Sequence, residues 1–420
     1  MTPFDPAGPR PVYPDPDLAD LRVRSRHGYV EFPVHHVRGG TSTGLVIWER
    51  HAPQDRALRE ELLRHLMGLP LSGTRRGNKQ ITGLGRIVTT GNKVFFADLE
   101  TDSSGKVRIH NTFAQLAADK SDVDWSVNCG NMTAALAFWA LDTGLVPWPA
   151  AEADRFEIDI YNSNTRVVTT ARLRLKDGVI PSDTEIPGVD GAWPGVDLFL
   201  NDPAGSHCGK LLPTGRPVEE IDGIPVSCVD VAMPLVIVRA ADLGKTAHEP
   251  VEALDADAPF KAKLRTLWVE AGLRMGIKDR SGRPLTAAEL AESETVPKIC
   301  IVGAPEERGH IAARYFTPQQ CHRSMAVTGG CCLAAASLVP GSVAQQVVRG
   351  IGTAGREFGE FQVDIENPAG LLASAVEARI VDGALQVRRA AYKRSAQVLL
   401  RGLVPIHRPS PALSAALGGG

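Results

Sequence analysis

The chain has 420 residues, 43% of them hydrophobic and 22% charged, which excludes wholesale disorder and predicts two or three packed units or one large bilobal domain. Its 46 basic and 48 acidic residues nearly cancel and aromatics make up only 5%, so neither a nucleic-acid footprint nor a base-stacking surface is expected. The longest apolar stretch, 132–148, is interrupted by Asp142, Gly144 and Pro147 and predicts no membrane span. In chain order, residues 1–28 carry Pro3, Pro6, Pro9, Pro11, Pro14 and Pro16 and read as an extended, poorly ordered arm. Strands are predicted over 30–37 and 44–48, on either side of a glycine-rich turn. A helix follows over 55–69, where Leu58, Leu62, Leu66 and Leu69 recur at helical spacing and Arg59, Glu60, Glu61 and Arg64 fall off the stripe. Next come a strand at 94–97, an apolar helix at 131–145, and strands at 156–161, 166–175, 226–231 and 235–239. A helix at 259–275, a strand at 298–302, a helix at 329–338 and strands at 361–365 and 384–389 complete the set, and residues 415–420 look frayed. Helices and strands do not alternate strictly, so the predicted class is α+β rather than a doubly wound sheet.

Seven cysteines, Cys129, Cys208, Cys228, Cys300, Cys321, Cys331 and Cys332, with no cationic-then-apolar leader, predict reduced thiols and a cytoplasmic location. None forms a Cys-x-x-Cys pair, and adjacent His35 and His36 face opposite sides of a strand, so no metal site is expected. Two segments resemble each other: Asn128-Cys129-Gly130-Asn131 and Val327-Thr328-Gly329-Gly330 each open an alanine-rich helix. Cys129 would sit at the positive end of the helix dipole, a place for an acid, base or nucleophile and equally for a small buried residue. Lys93, at a strand entry, reads as a solvated strand end unless a cleft withdraws it from water, where it could carry protons. The loop Arg38-Gly39-Gly40-Thr41-Ser42-Thr43-Gly44 offers amides and three hydroxyls to an anion, although a plain hairpin accounts for it too. His322 and Arg323 could reach a carboxylate, with solvation the competing reading for Arg323, while Cys331 and Cys332 read as core packing.

Further stretches join these: Gly83-Leu84-Gly85 ahead of Lys93, Val123-Asp124-Trp125-Ser126-Val127 ahead of Asn128, Leu211-Leu212-Pro213-Thr214-Gly215, and His322-Arg323-Ser324-Met325-Ala326 ahead of Val327. With Asn367-Pro368-Ala369-Gly370, and in this order, they make the sequence resemble the methylaconitate cis–trans isomerase family over 29–405. The resemblance implies a diaminopimelate-epimerase-like fold of two pseudo-symmetric lobes, 29–205 and 206–405, each wrapping strands around a central helix. It places the active site between them and leaves 406–420 as a tail. It implies Lys93 and Cys129 as catalytic residues, with substrate held by Thr41, Ser42, Thr43, Asn128, Gly130, Asn131, His322, Thr328 and Gly329. Epimerases of this fold take a cysteine from each lobe, and here Thr328 falls at the second position, which argues for an isomerase. The expected activity is cofactor-independent proton transfer, a double-bond shift or cis–trans change in a small unsaturated di- or tricarboxylate of the 2-methylaconitate or 4-oxalomesaconate type. Two readings stay open beside it: an amino-acid epimerase drawing a second acid/base from Cys331 or Cys332, and a non-catalytic accessory protein to a dehydratase. Thr43 stands where the family often has lysine and Asn367 where it has histidine, which leaves the polycarboxylate unassigned. No metal or cofactor is expected, and a homodimer is compatible with the resemblance.

Overall fold

Short Val/Ile-rich runs become strands here, and the alanine-rich stretches become helices buried nearly all round. A computed structural model describes residues 21–279 and 281–418, so residues 1–20 of the expected arm and 419–420 of the tail lie outside the described residues. The first elements are β1 (Arg24–Arg26), β2 (Tyr29–Gly39), β3 (Ser42–Trp48), α1 (Arg56–Met67), β4 (Lys93–Thr101), β5 (Val107–Leu116), β6 (Val123–Asp124), α2 (Gly130–Asp142), β7 (Arg155–Asn162), β8 (Val167–Arg174) and β9 (Gly195–Asn201). They continue as β10 (Glu219–Ile221), β11 (Ile224–Asp230), β12 (Pro234–Arg239), α3 (Val251–Ala256), α4 (Ala258–Met275), α5 (Ala287–Glu292), β13 (Lys298–Gly303), β14 (Ile311–Thr317) and β15 (Gln320–Cys321). The last are α6 (Val327–Ala336), α7 (Val343–Val347), β16 (Gly359–Asn367), β17 (Gly370–Val381), β18 (Ala384–Ile406) and α8 (Pro411–Gly418). The class is α+β, as expected.

Two compact units result. The first holds residues 21–185, Val189–Asp197 and 394–418, and the second Ile186–Gly188 and Leu198–Lys393. In the first, β2 and β3 make a two-residue hairpin, β3 runs parallel to β4, β4 pairs antiparallel with β5, and β5 runs parallel to β7. One face of this sheet buries Val30, Phe32, Val34, Leu45, Ile47, Val94 and Phe96 against Leu62, Leu63, Leu66 and Met67 of α1. Asp55 starts α1 by accepting the Leu58 N–H at 3.0 Å, and Gly68, at φ 67°, ends it in the left-handed region. On the other face α2 packs against β2, β3, β7 and β8. In the second unit α4 covers one face of β11–β14 through Leu264, Leu267, Trp268 and Ala271, while α6 packs on β11, β12, β16 and β17.

The structure departs from the sequence reading at both termini and at the lobe boundaries, where the long run of the second unit begins at Leu198 rather than at 206. Part of the expected arm is a strand, since Arg24 pairs with Glu31 across β1 and β2. The expected tail is the helix α8, because Leu413 and Leu417, one turn apart, both sink into the core beside α1. The return to the first unit comes at Arg394, ahead of the expected lobe end at 405, because β18 changes partners: its first half pairs with β17 and its second with β2, from Ala396↔Gly39 to Ile406↔Val30.

Candidate active site

Alternation along β4 sends Val94 and Phe96 toward α1 and turns Lys93 and Phe95 to the face that α2 covers. Lys93 is therefore not a solvated strand end: it is 9% exposed. Its Nζ donates to Oε1 of Gln115, the residue opposite it on β5, and lies 5.4 Å from the centre of the Phe113 ring. Cys129 is the N-cap of α2, half-buried, with extended backbone at φ −130° and a thiol that makes no capping bond. Its carbonyl accepts the Thr133 N–H and hydroxyl, both at 3.0 Å, and its N–H donates to Asn128 Oδ1 at 2.7 Å. That backbone is held on both sides, while the thiol takes no part in capping the helix.

The β2–β3 hairpin links the lysine to the helix start. A Cβ on Gly39 would lie 2.3 Å from the Asn131 carbonyl oxygen, and one on Gly44 would lie 2.1 Å from that of Lys93. Only glycine lets one hairpin touch both elements so closely. Gly130 is the first residue of α2, and Asn131 follows it; Asn131 Nδ2 donates to Thr41 Oγ1 at 3.1 Å, and Asn131 Oδ1 accepts from Arg394 Nε at 2.9 Å. The hydroxyls of the loop do not converge. Thr41 is exposed at the turn, Ser42 is buried, and Thr43 is half-buried opposite Arg38. Sequence reasoning missed Gln115 and Arg394, and gave Arg38 no role of its own. Arg38, which heads the glycine motif, donates to Gln397 Oε1 at 3.0 Å and to the Gly40 carbonyl at 2.9 Å. Gln115 and Arg394 lie in stretches of mixed polarity that carry no motif. His35 and His36 do face opposite sides: His35 Nε2 is 3.6 Å from Asp142 Oδ2 of α2, whereas burial and the Arg86 charge push the His36 pKa down to about 4.

The remaining expected site residues belong to the second unit and form their own cluster. α6 starts at Val327, so Thr328 and Gly329 lie in its first turn. Thr328 Oγ1 donates to Met233 Sδ at 3.4 Å, and Tyr315 Oη donates to the same sulfur at 3.2 Å. A Cβ on Gly329 would come 2.5 Å from Tyr315 Cε2. His322 Nδ1 accepts the Ser324 N–H at 2.9 Å, so the neutral ring carries its proton on Nε2 and is a donor there. Burial, with a smaller contribution from the Lys298 charge, holds the His322 pKa below the ordinary value. Arg323 is exposed and pairs with Glu252 at 3.2 Å, the solvated outcome. Cys331 and Cys332 are core residues at 0% exposure; Cys332 Sγ donates to the Val229 carbonyl at 3.5 Å, and burial raises its pKa well above a free thiol's. Asn367 spends its side chain on its own turn, accepting the Ala369 N–H at 3.1 Å and donating to the Ile365 carbonyl at 3.3 Å. A separate cavity of about 400 Å³, lined by Leu211, Leu212, Gly215, Pro217, Val339 and Leu385 among others, contains none of the expected site residues.

The PrpF protein family matches residues 29–407 of this chain. The chain is 33% identical to a 4-oxalomesaconate tautomerase of Pseudomonas putida, over 91% of its own length and 98% of that protein's. It is 32% identical to a (4E)-oxalomesaconate Delta-isomerase of Novosphingobium sp., with 89% and 96% covered. A crystal structure of methylitaconate-delta-isomerase matches it with a TM-score of 0.75 at 27% identity, covering 94% of this chain and 98% of that one.

Proposed function

The chain belongs to the PrpF family, and from that premise we propose that it is an isomerase that shifts a double bond in a small unsaturated polycarboxylate of the oxalomesaconate type, with Lys93 and Cys129 as its proton-transfer pair. The observation that carries this reading is Lys93: a lysine withdrawn from water, met by one neutral amide, on the side of β4 turned away from α1. A proton leaves the allylic carbon to one of the pair, and the negative charge spreads through the conjugated system onto oxygen. The same residue or the other returns a proton at the far end, and the double bond has moved. The first turn of α2, with Asn131 and Thr41, receives a carboxylate and stabilises the charge as it develops. Proton transfer of this kind supplies about 10²–10⁴ in rate. The two-thiol racemase is disfavoured, since Cys331 and Cys332 are both enclosed in the core of α6's unit. The test is proton NMR in D₂O with 4-oxalomesaconate, 3-methylitaconate and 2-methylaconitate, and proline as control. Deuterium entering the allylic position as the double bond moves is the expected result. Exchange at the proline α-carbon alone, or no exchange with any compound, would overturn the reading.

A further inference from the structure

We infer that Gln115 is a positioning residue for the proton-transferring lysine, an inference that rests on the reading of Lys93 above. Gln115 faces Lys93 across the β4–β5 pair. Its Nε2 is surrounded by three backbone carbonyls, of Thr89 at 3.1 Å, Asn92 at 2.9 Å and Leu116 at 3.1 Å. Three acceptors at one end fix which end of the amide is nitrogen, so Oε1 is compelled to face the lysine. Lys93 has an N–H to give in both of its protonation states, three as ammonium and two as amine, so this contact persists through proton transfer. A lone pair cannot point at an acceptor, so the amine's lone pair is turned away from Gln115 and left for another partner. A neutral amide also leaves the proton free to move, whereas a carboxylate there would hold it on Lys93.

The second unit shows that the fold itself does not require the amide. Lys298 opens β13 as Lys93 opens β4, and the register Ile299↔Phe316 places Thr317 opposite it. Thr317 Oγ1 donates instead to the Gln320 carbonyl at 3.4 Å, and Lys298 Nζ donates to the carbonyl of Glu294.

The test compares Gln115→Met and Gln115→Glu with the unaltered protein, using 4-oxalomesaconate, with thermal melting to show that each variant is folded. Gln115→Met should lower kcat by about 10–10²-fold while KM stays within about threefold, the signature of a displaced catalytic group. Gln115→Glu should move the limb of the pH–rate profile that belongs to Lys93 upward by about one pH unit. The midpoint for acylation of Lys93 by acetic anhydride, followed by peptide mass spectrometry across a pH series, should move by the same amount. An unchanged kcat in folded Gln115→Met, or a rise in KM alone, would overturn the inference. So would an acylation midpoint that does not move in Gln115→Glu. The acylation measurement needs no turnover, so it decides whether Gln115 acts on Lys93 even if Lys93→Ala retains activity and the catalytic reading fails.

Discussion

In the first unit β2–β3 pair antiparallel, β3–β4 parallel, β4–β5 antiparallel, β5–β7 parallel and β7–β8 antiparallel. In the second, β11–β12, β12–β13, β13–β14, β14–β16 and β16–β17 repeat that series in the same order and sense. α1 and α4 fill the first parallel crossover of their units, and α2 and α6 fill the second. A lysine opens the strand after the first crossover in both, and both lysines are 9% exposed. The chemistry around them differs. Lys93 meets a side-chain amide, while Lys298 is bound to a backbone carbonyl of its own approach and its pKa is lowered by burial. Cys129 caps one central helix and Ala326 caps the other. One scaffold is thus built twice, and the groups we propose for proton transfer stand in the first copy, a difference that fold alone does not disclose.

The two lysines should give the largest contrast between the units. Lys93→Ala should reduce kcat on 4-oxalomesaconate by about 10²–10⁴-fold with little change in melting temperature. Lys298→Met should leave kcat within about tenfold. Equal losses from the two would mean that the second unit shares the chemistry. The thiols give the next largest contrast. Cys129→Ser should cost about 10²-fold or more in turnover, because a hydroxyl is a far weaker acid than a thiol and scarcely forms its anion near neutral pH. Cys332→Ser should leave turnover per folded molecule intact and lower stability by about 1–3 kcal/mol, the cost of burying a hydroxyl in an apolar core. A racemase using both lobes would instead lose activity in both variants.

How much of this the sequence discloses depends on which force writes the element. The helix stripe of Leu58, Leu62 and Leu66 and the Val/Ile runs in β2, β11, β12 and β13 are direct signatures of burial on one or both faces, and they are where the sequence predicts them. β5, β14 and β17 are as regular but invisible, because His110, Asn111, Arg314, Ser374 and Glu377 interrupt their apolar positions and find partners only through long-range pairing. Cys129 and Lys93 are legible through their motif. Gln115 is not, since only cross-strand register brings it to Lys93. Arg394 is hidden for the same reason, being 263 positions from Asn131, to which it donates.

The last contrast is acid stability. The His36 pKa lies at about 4, below the ordinary 6.5, and its Nε2 is buried with no hydrogen-bond partner. Burial also lowers His51 and His65 in the same unit, and His322 in the second. A histidine whose folded-state pKa is depressed stays neutral when the unfolded chain would already bind a proton, so stability is complete above 6.5 and drains away as pH falls toward 4. For His36 that amounts to about 3 kcal/mol at most, since each pH unit between the folded and unfolded values is worth about 1.4 kcal/mol. Acid should therefore loosen the first unit before the second. Hydrogen exchange read by mass spectrometry at pH 7 and pH 5 should show β2 and β3 losing protection ahead of β12 and β13. His36→Gln, which removes the buried proton acceptor, should shrink that difference. Earlier loss in β12 and β13, or an undiminished difference in the variant, would mean that these histidines do not set the acid limit and that the two units are closer in stability than their titrating groups imply.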